Sequence, residues 1–198
     1  VFCIIRMYTG VFGIDFLKDL DLGEVITWIA AFTILASSLI ALTQDNLKRR
    51  LAFSTVGQLS YIILGVALLT PQGVTGSMMH IGMHAFGKIT LFFCAGAILV
   101  AAHTKRVSEL DGLGRRMPIT MFAFILGGLN LIGVPLTVGF VSKWYLLDAA
   151  FSAGHWYAGF LIVASSLIAL AYVGRVAEVM LLREPAEEGK YAMAKEEA

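Results

Sequence analysis

The chain has 198 residues, of which 58% are hydrophobic and only 15% charged, with a formal net charge of +1. A soluble domain carries about 25% charged residues, so the composition excludes an ordinary water-soluble globule. It also excludes a nucleic-acid-binding protein, because no basic stripe is long enough to follow a phosphate backbone.

The mean hydropathy is +0.80. The charges cluster, and the apolar runs between them approach the roughly 20 residues that cross hydrocarbon as a helix. Cys3 and Cys94 both fall in apolar runs and form no CxxC pair, so neither a disulfide framework nor a metal site is expected. The chain opens on Val1 inside an apolar run with no basic region before it. Residues 1–11 therefore read as the end of a helix and not as a signal peptide.

The acidic loop "GIDFLKDLDLGE" comes next, followed by a span over residues 25–42 that ends at "TQDNLKRR". A third apolar segment, 51–69, stops at the turn signal "TPQG". The fourth, 74–102, contains "MMHIGMHAFGKITLFF" and leads into the basic loop "HTKRVSELDGLGRRMP". Pro118 is placed to open the next helix, since its missing N–H would be unsatisfied there anyway. The apolar segment 118–151 is too long for one span and is interrupted by "GVPLTVG". A sixth segment covers 156–182, and residues 183–198 read as a charged cytoplasmic tail.

Basic residues alternate with side. Lys48, Arg49 and Arg50, then Lys105, Arg106, Arg115 and Arg116, then Arg183, Lys190 and Lys195 fall on one side; the opposite loops hold only Lys18. The positive-inside rule makes the basic side cytoplasmic, provided each segment crosses once. The expected fold class is an all-α polytopic membrane protein of about six transmembrane segments, one of them a broken helix. The expected place is the inner (plasma) membrane, with the lipid bilayer as a partner.

His80, His84 and Lys88 are spaced four apart and share one helix face. Lys88 is near the middle of its span, where an ammonium costs about 2.5–3.5 kcal/mol on insertion scales. Such a group marks an ion or proton path by default, and histidine is the natural neighbour in a relay. The alternative makes the histidines helix–helix hydrogen-bonding groups, with Lys88 paired to a carboxylate elsewhere. The break offers a second candidate. Gly133, Pro135 and Gly139 interrupt the backbone at membrane depth, which is tolerated only where it is buried in protein or lines a cavity. Lys143 follows in the second half-helix. Its alternative is a simple proline kink with the lysine snorkelling outward and Trp144 and Tyr145 as interfacial anchors. Asp148 is about one turn from Lys143. Arg175 and Glu178 read as an i,i+3 pair. No pattern for a flavin, iron–sulfur cluster or quinone is present, so no cofactor is expected and the chain is not expected to be a redox centre; the H-x3-H of His80 and His84 could hold a metal or haem, but two ligands with a lysine next on that face weigh against it.

The stretches "ALTQDNLKRRLAFSTVGQLSYIILG", "HIGMHAFGKITLFFCAGAI" and "GVPLTVGFVSKWYLL" resemble the antiporter-like membrane subunits of respiratory complex I, membrane-bound hydrogenases and Mrp-type multisubunit Na+/H+ antiporters. The resemblance runs nearly to residue 182. It implies an inverted-repeat fold, with residues 25–182 as the second repeat and the first repeat, with its own lysine and glutamate, outside this sequence. By position, Lys88 resembles the central relay lysine with His84 and His80 beside it, and Lys143 the lysine on the broken helix at the outward exit. "GFVSKWYLL" resembles the D-type subunit of the cation/proton antiporters more than the complex I subunits. The function so implied is proton translocation along Lys88, His84, His80 and water towards Lys143. Other membrane subunits would be the partners, and Na+ or K+ the candidate coupling ions. The competing readings are a proton-pumping subunit of a quinone oxidoreductase or hydrogenase, and a structural subunit whose buried charges are silent.

Overall fold

The computed structural model of the chain describes residues 1–184. The charged segment expected as a tail lies, from residue 185 on, outside the described residues. Among the described residues the chain is helical apart from its connections and one isolated bridge between Asn46 and Arg106. A short helix α1 (Phe2–Arg6) runs into a π-helical turn, Met7–Phe12, and α2 (Ile14–Asp19) follows.

The long helices come next: α3 (Leu22–Thr43), α4 (Leu47–Ala67) and α5 (Pro71–Ala102). A tight α6 (Leu113–Arg116) precedes the broken segment, α7 (Pro118–Ile132) and α8 (Val138–Ser152), and α9 (Trp156–Leu182) closes the bundle. α3, α4, α5 and α9 are each long and apolar enough to cross a membrane. With 15 residues, α7 or α8 is about 22 Å long and too short to cross alone. Pro118 opens α7 as its position predicts.

Helix α4 begins earlier than the apolar pattern suggests. Asn46 caps it by accepting a hydrogen bond from the Arg49 amide at 3.1 Å, so "KRR" forms the first turn and not the loop. One consequence corrects the sequence reading. Arg50 is not a solvated loop charge but is buried, donating to the Gln44 carbonyl from Nε (2.9 Å) and Nη2 (2.6 Å) and to the Tyr172 carbonyl on α9 at 2.9 Å. Thr70 likewise caps α5 by accepting from the Gly73 amide at 3.1 Å, with Pro71 in the first turn.

The connections sort onto two ends of the bundle. At one end the α3–α4 and α5–α6 loops are stitched together: Leu47 donates to the Lys105 carbonyl at 2.9 Å, and Val107 to that of Asp45 at 2.8 Å. The end of α9 joins them through Arg183 and Asp111, 3.3 Å apart. At the other end the α2–α3, α4–α5 and α8–α9 turns meet around a polar cleft lined by Lys18, Asp21, Glu24, Thr70 and His155. All the basic loops therefore share one end.

Side-chain character is inverted relative to a soluble protein. Phe32, Phe86, Phe93 and Ile119 are exposed, whereas Gln58, His80, Lys88, Ser142 and Lys143 are buried. Small residues allow close helix contact, the usual way to gain packing where lipid removes the hydrophobic drive. A Cβ at Gly57 would come within 2.7 Å of Ser37 Oγ on α3, and one at Gly128 within 2.6 Å of Val173 Cγ1 on α9. Ser54, Gln58 and Ser60 on α4 and Ser165 on α9 fall between two apolar clusters. One is built on Leu51, Phe124 and Tyr172, the other on Ile34, Leu64 and Ile162.

Candidate functional site

His80, His84 and Lys88 lie on the buried face of α5, at 0%, 8% and 5% exposure. Four-residue spacing keeps them in a row, and the His80 and His84 rings are nearly parallel with centroids 6.5 Å apart. The Lys88 ammonium donates to the Leu51 carbonyl of α4 at 2.9 Å. Thr55 Oγ1 donates to the same carbonyl at 2.9 Å. Among the described residues no carboxylate comes within ion-pair distance of Lys88, so a counter-charge is not supplied here. His84 Nδ1 is buried without a hydrogen-bond partner among the described residues.

His80 is held on both sides. Its Nε2 lies 3.0 Å from Gln58 Oε1 on α4, and its Nδ1 lies 3.0 Å from Ser142 Oγ on α8. The Tyr61 ring packs beside it, with centroids 5.4 Å apart, and carries the Lys143 ammonium 5.2 Å from its own centroid. The Tyr61 hydroxyl bonds Ser165 on α9.

The helix break runs through residues 133–137, between α7 and α8. Gly133 ends α7 at φ +83, a conformation L side chains rarely adopt. Pro135 lies in the linker, followed by Leu136 with its own positive φ of 79° and full exposure. Thr137 caps α8, accepting from the Phe140 amide at 3.3 Å. Gly139 departs from the expectation. It belongs to the first turn of α8 and does not interrupt the helix; its role is close approach. Its amide donates to Asn130 Oδ1 at 2.8 Å, and a Cβ there would lie 1.8 Å from the Asn130 carbonyl oxygen.

Lys143 is 5% exposed and turns inward, not outward to a membrane surface. It donates to the carbonyls of Leu131 (3.0 Å) and Ile132 (2.8 Å) at the end of α7 and to Ser166 Oγ on α9 (2.9 Å). The ammonium therefore takes up carbonyls that a helix end leaves free, at the negative end of the α7 dipole. Beside it opens an apolar cavity of about 280 Å³ lined by Pro135, Trp144, Leu147 and Leu170. Trp144 is exposed on the outer surface, and Asp148 is exposed and forms no ion pair with Lys143. Arg175 and Glu178 pair at 2.9 Å as their spacing predicts.

The structure thus joins the two regions that the sequence singles out. His80 and Lys143 are linked through Ser142, the residue next to Lys143, and through Tyr61. Gln58, Tyr61, Asn130, Ser142, Ser165 and Ser166 were not picked out by sequence reasoning. A usable signal exists for Gln58, an amide deep in an apolar run, and for Asn130, just before the break. Serines are too common in membrane helices to be singled out by type.

An all-helical bundle with four helices long and apolar enough to cross a membrane, lysines buried inside it and a broken helix defines a polytopic membrane protein. Residues 1–169 match the model of the family described as NADH:quinone oxidoreductase/Mrp antiporter, TM, and the chain belongs to that family. It is 40% identical over 169 residues to NADH-quinone oxidoreductase subunit N of Desulforudis audaxviator, covering 85% of this chain and 34% of that protein. It is 30% identical over 179 residues to F(420)H(2) dehydrogenase subunit N of Methanosarcina mazei, covering 86% and 36%. Among solved structures, a chain of the Mrp complex from Dietzia sp. superposes with a TM-score of 0.87 at 32% identity, covering 93% of this chain and 34% of that one. The chain spans about a third of the length of the relatives it matches.

Proposed function

We propose that this chain forms the second half of a proton-translocating membrane subunit, with Lys88, His84, His80 and Lys143 as its proton-transfer groups. The observation that carries the reading is the buried row on α5, joined through Ser142 to a lysine seated on a helix break. Protons load from the basic, cytoplasmic side at Lys88. They pass along His84 and His80, with water completing the steps, and leave by way of Lys143. Burial makes a resident charge costly, which favours handing the proton on from group to group. Gly133 and Pro135 keep the α7 carbonyls free to receive the Lys143 ammonium, and Gly139 lets α8 approach Asn130.

Two assemblies are supported by different observations. The stretch "GFVSKWYLL" and the 0.87 superposition on the Mrp complex favour a multisubunit monovalent cation/proton antiporter in the inner (plasma) membrane, with Na+ or K+ as the coupling ion. The 40% identity to an NADH-quinone oxidoreductase subunit favours a proton-pumping respiratory complex. The full-length subunit in its native complex, reconstituted in vesicles, separates them. Proton movement driven by a Na+ or K+ gradient supports the antiporter, whereas movement that requires quinone reduction supports the second reading. In either assembly, uptake unaffected by His80→Ala and Lys88→Ala would remove the proposed path.

A further inference from the structure

We propose that the Tyr61 ring is the seat of the Lys143 charge, a positioning residue whose aromatic face stands where an ion pair would have a carboxylate. This inference deepens the relay reading above and rests on it for its bearing on transport. The contacts of Lys143 are those of an ammonium. It donates to the Leu131 and Ile132 carbonyls and to Ser166 Oγ. Ser166 spends its own hydrogen on the Ile162 carbonyl at 3.0 Å, so towards the lysine it can only accept. Three acceptors need three hydrogens, which only the charged form carries.

Those acceptors are all neutral, and among the described residues no carboxylate lies within ion-pair distance of Lys143. The Tyr61 ring adds what they lack. The ammonium sits over it, 5.2 Å from the centroid, within the roughly 6 Å at which the negative face of a ring attracts a cation. The seat is also fixed in place. The Tyr61 hydroxyl meets Ser165 and lies 3.3 Å from the Ile162 carbonyl oxygen. Ser165 and Ser166 are neighbours in one turn of α9, so the same turn holds the far end of the ring and one hydrogen of the ammonium.

A carboxylate in that place would hold the lysine in a standing ion pair and offer a base of its own. An aromatic face steadies the charge but cannot take the proton, so Lys143 stays free to pass it on. Desolvation strengthens such an attraction, and both partners are buried, Tyr61 at 1% and Lys143 at 5% exposure. His80 packs against the same ring, with centroids 5.4 Å apart and planes tilted by 43°, whereas the lysine lies over it.

Phenylalanine and its mono-, di- and trifluoro derivatives, placed at position 61 of the full-length subunit in its complex, test this. Each fluorine draws electron density from the ring face at nearly constant shape, which a merely space-filling ring would not register. The thermal midpoint should fall stepwise, by about 2–4 °C across the series, and proton uptake per assembled complex by about tenfold. The midpoint trend should vanish in a Lys143→Met background and persist in His80→Ala. Where loss of the hydroxyl impairs assembly, fluorinated tyrosines keep the Ser165 bond and serve as the series. A flat series overturns the proposal, and so does a midpoint trend that survives Lys143→Met. Full uptake in Lys143→Met, with the midpoint trend as expected, is a separate pattern: it overturns the relay reading and leaves the seat standing.

Discussion

The Lys143 ammonium, on the second half of the broken helix, lies 2.8 Å from the carbonyl oxygen of Ile132, the last residue of the first half. The lysine and the break are therefore one arrangement. α7 stops short of its neighbours, its final carbonyls lack helical partners, and the only charged side chain of the α8 first turns fills the place of the missing amides. Lys143→Leu should leave the Leu131 and Ile132 carbonyls unpaired and lower stability by about 1–3 kcal/mol, as well as stopping transport. Lys143→Arg should keep the cap and the stability but not the transport. Thermal unfolding of the purified full-length subunit, set beside proton uptake, checks both; equal stability of the Leu and Arg variants would dissociate the lysine from the break.

Gly139→Ala should be among the most damaging single-methyl additions in the bundle. Its Cβ would sit 1.8 Å from a backbone oxygen, and backbone cannot rotate away as a side chain can. Overpacking of this kind costs about 1–3 kcal/mol or more. The yield of assembled protein should drop, whereas Gly82→Ala, which meets nothing within 4 Å, should be silent. Similar yields from the two would contradict the close approach.

Arg50 ties the α3–α4 turn to α9 through carbonyls of Gln44 and Tyr172. Arg50→Met keeps most of the bulk but strands those oxygens, and should cost about 1–3 kcal/mol. The neighbouring Arg49→Met, at an exposed position, should change stability by no more than about 0.5 kcal/mol. A chemical denaturation series on the detergent-solubilised protein distinguishes them; equal midpoints would mean Arg50 is not a tie.

The end-sorting of the loops predicts a labelling pattern. Single cysteines at the exposed positions Arg49 and Arg115 should react with a membrane-impermeant reagent from one side, and those at Gln72 and Ser152 from the other. The positive-inside rule assigns the first pair to the cytoplasm. Gln72 and Arg115 labelled from the same side would undo the arrangement of spans.

The spans, the broken segment and the buried row were legible because each leaves a one-dimensional trace. Apolar length gives α3, α4, α5, the α7–α8 segment and α9, and a spacing of four places His80, His84 and Lys88 on one face. "GVPLTVG" marks the break by composition. What lay out of reach depends on partners distant in the chain. Arg50 reads as a loop charge until Tyr172, 122 residues later, supplies its acceptor. Whether Lys143 belongs to the break or snorkels outward stays open in the sequence until the α7 carbonyls are seen to face it. Gly139 reads as a helix breaker because a glycine is the same letter whether it frees the backbone or admits a neighbouring chain; only the position of Asn130 decides. Ser142 carries no signal of its own, since its importance comes from the ring that α5 brings to it.

The claim that Lys88 loads and unloads a proton is tested most directly by Lys88→Arg in the full-length subunit, with proton uptake in reconstituted vesicles normalised to assembled protein. Lys88 donates to the Leu51 carbonyl and has no carboxylate partner among the described residues. A guanidinium can keep that hydrogen bond but holds its proton too tightly to release it. The account predicts normal assembly with uptake abolished, as in Lys88→Met; near-normal uptake in Lys88→Arg would contradict it and leave Lys88 a fixed charge.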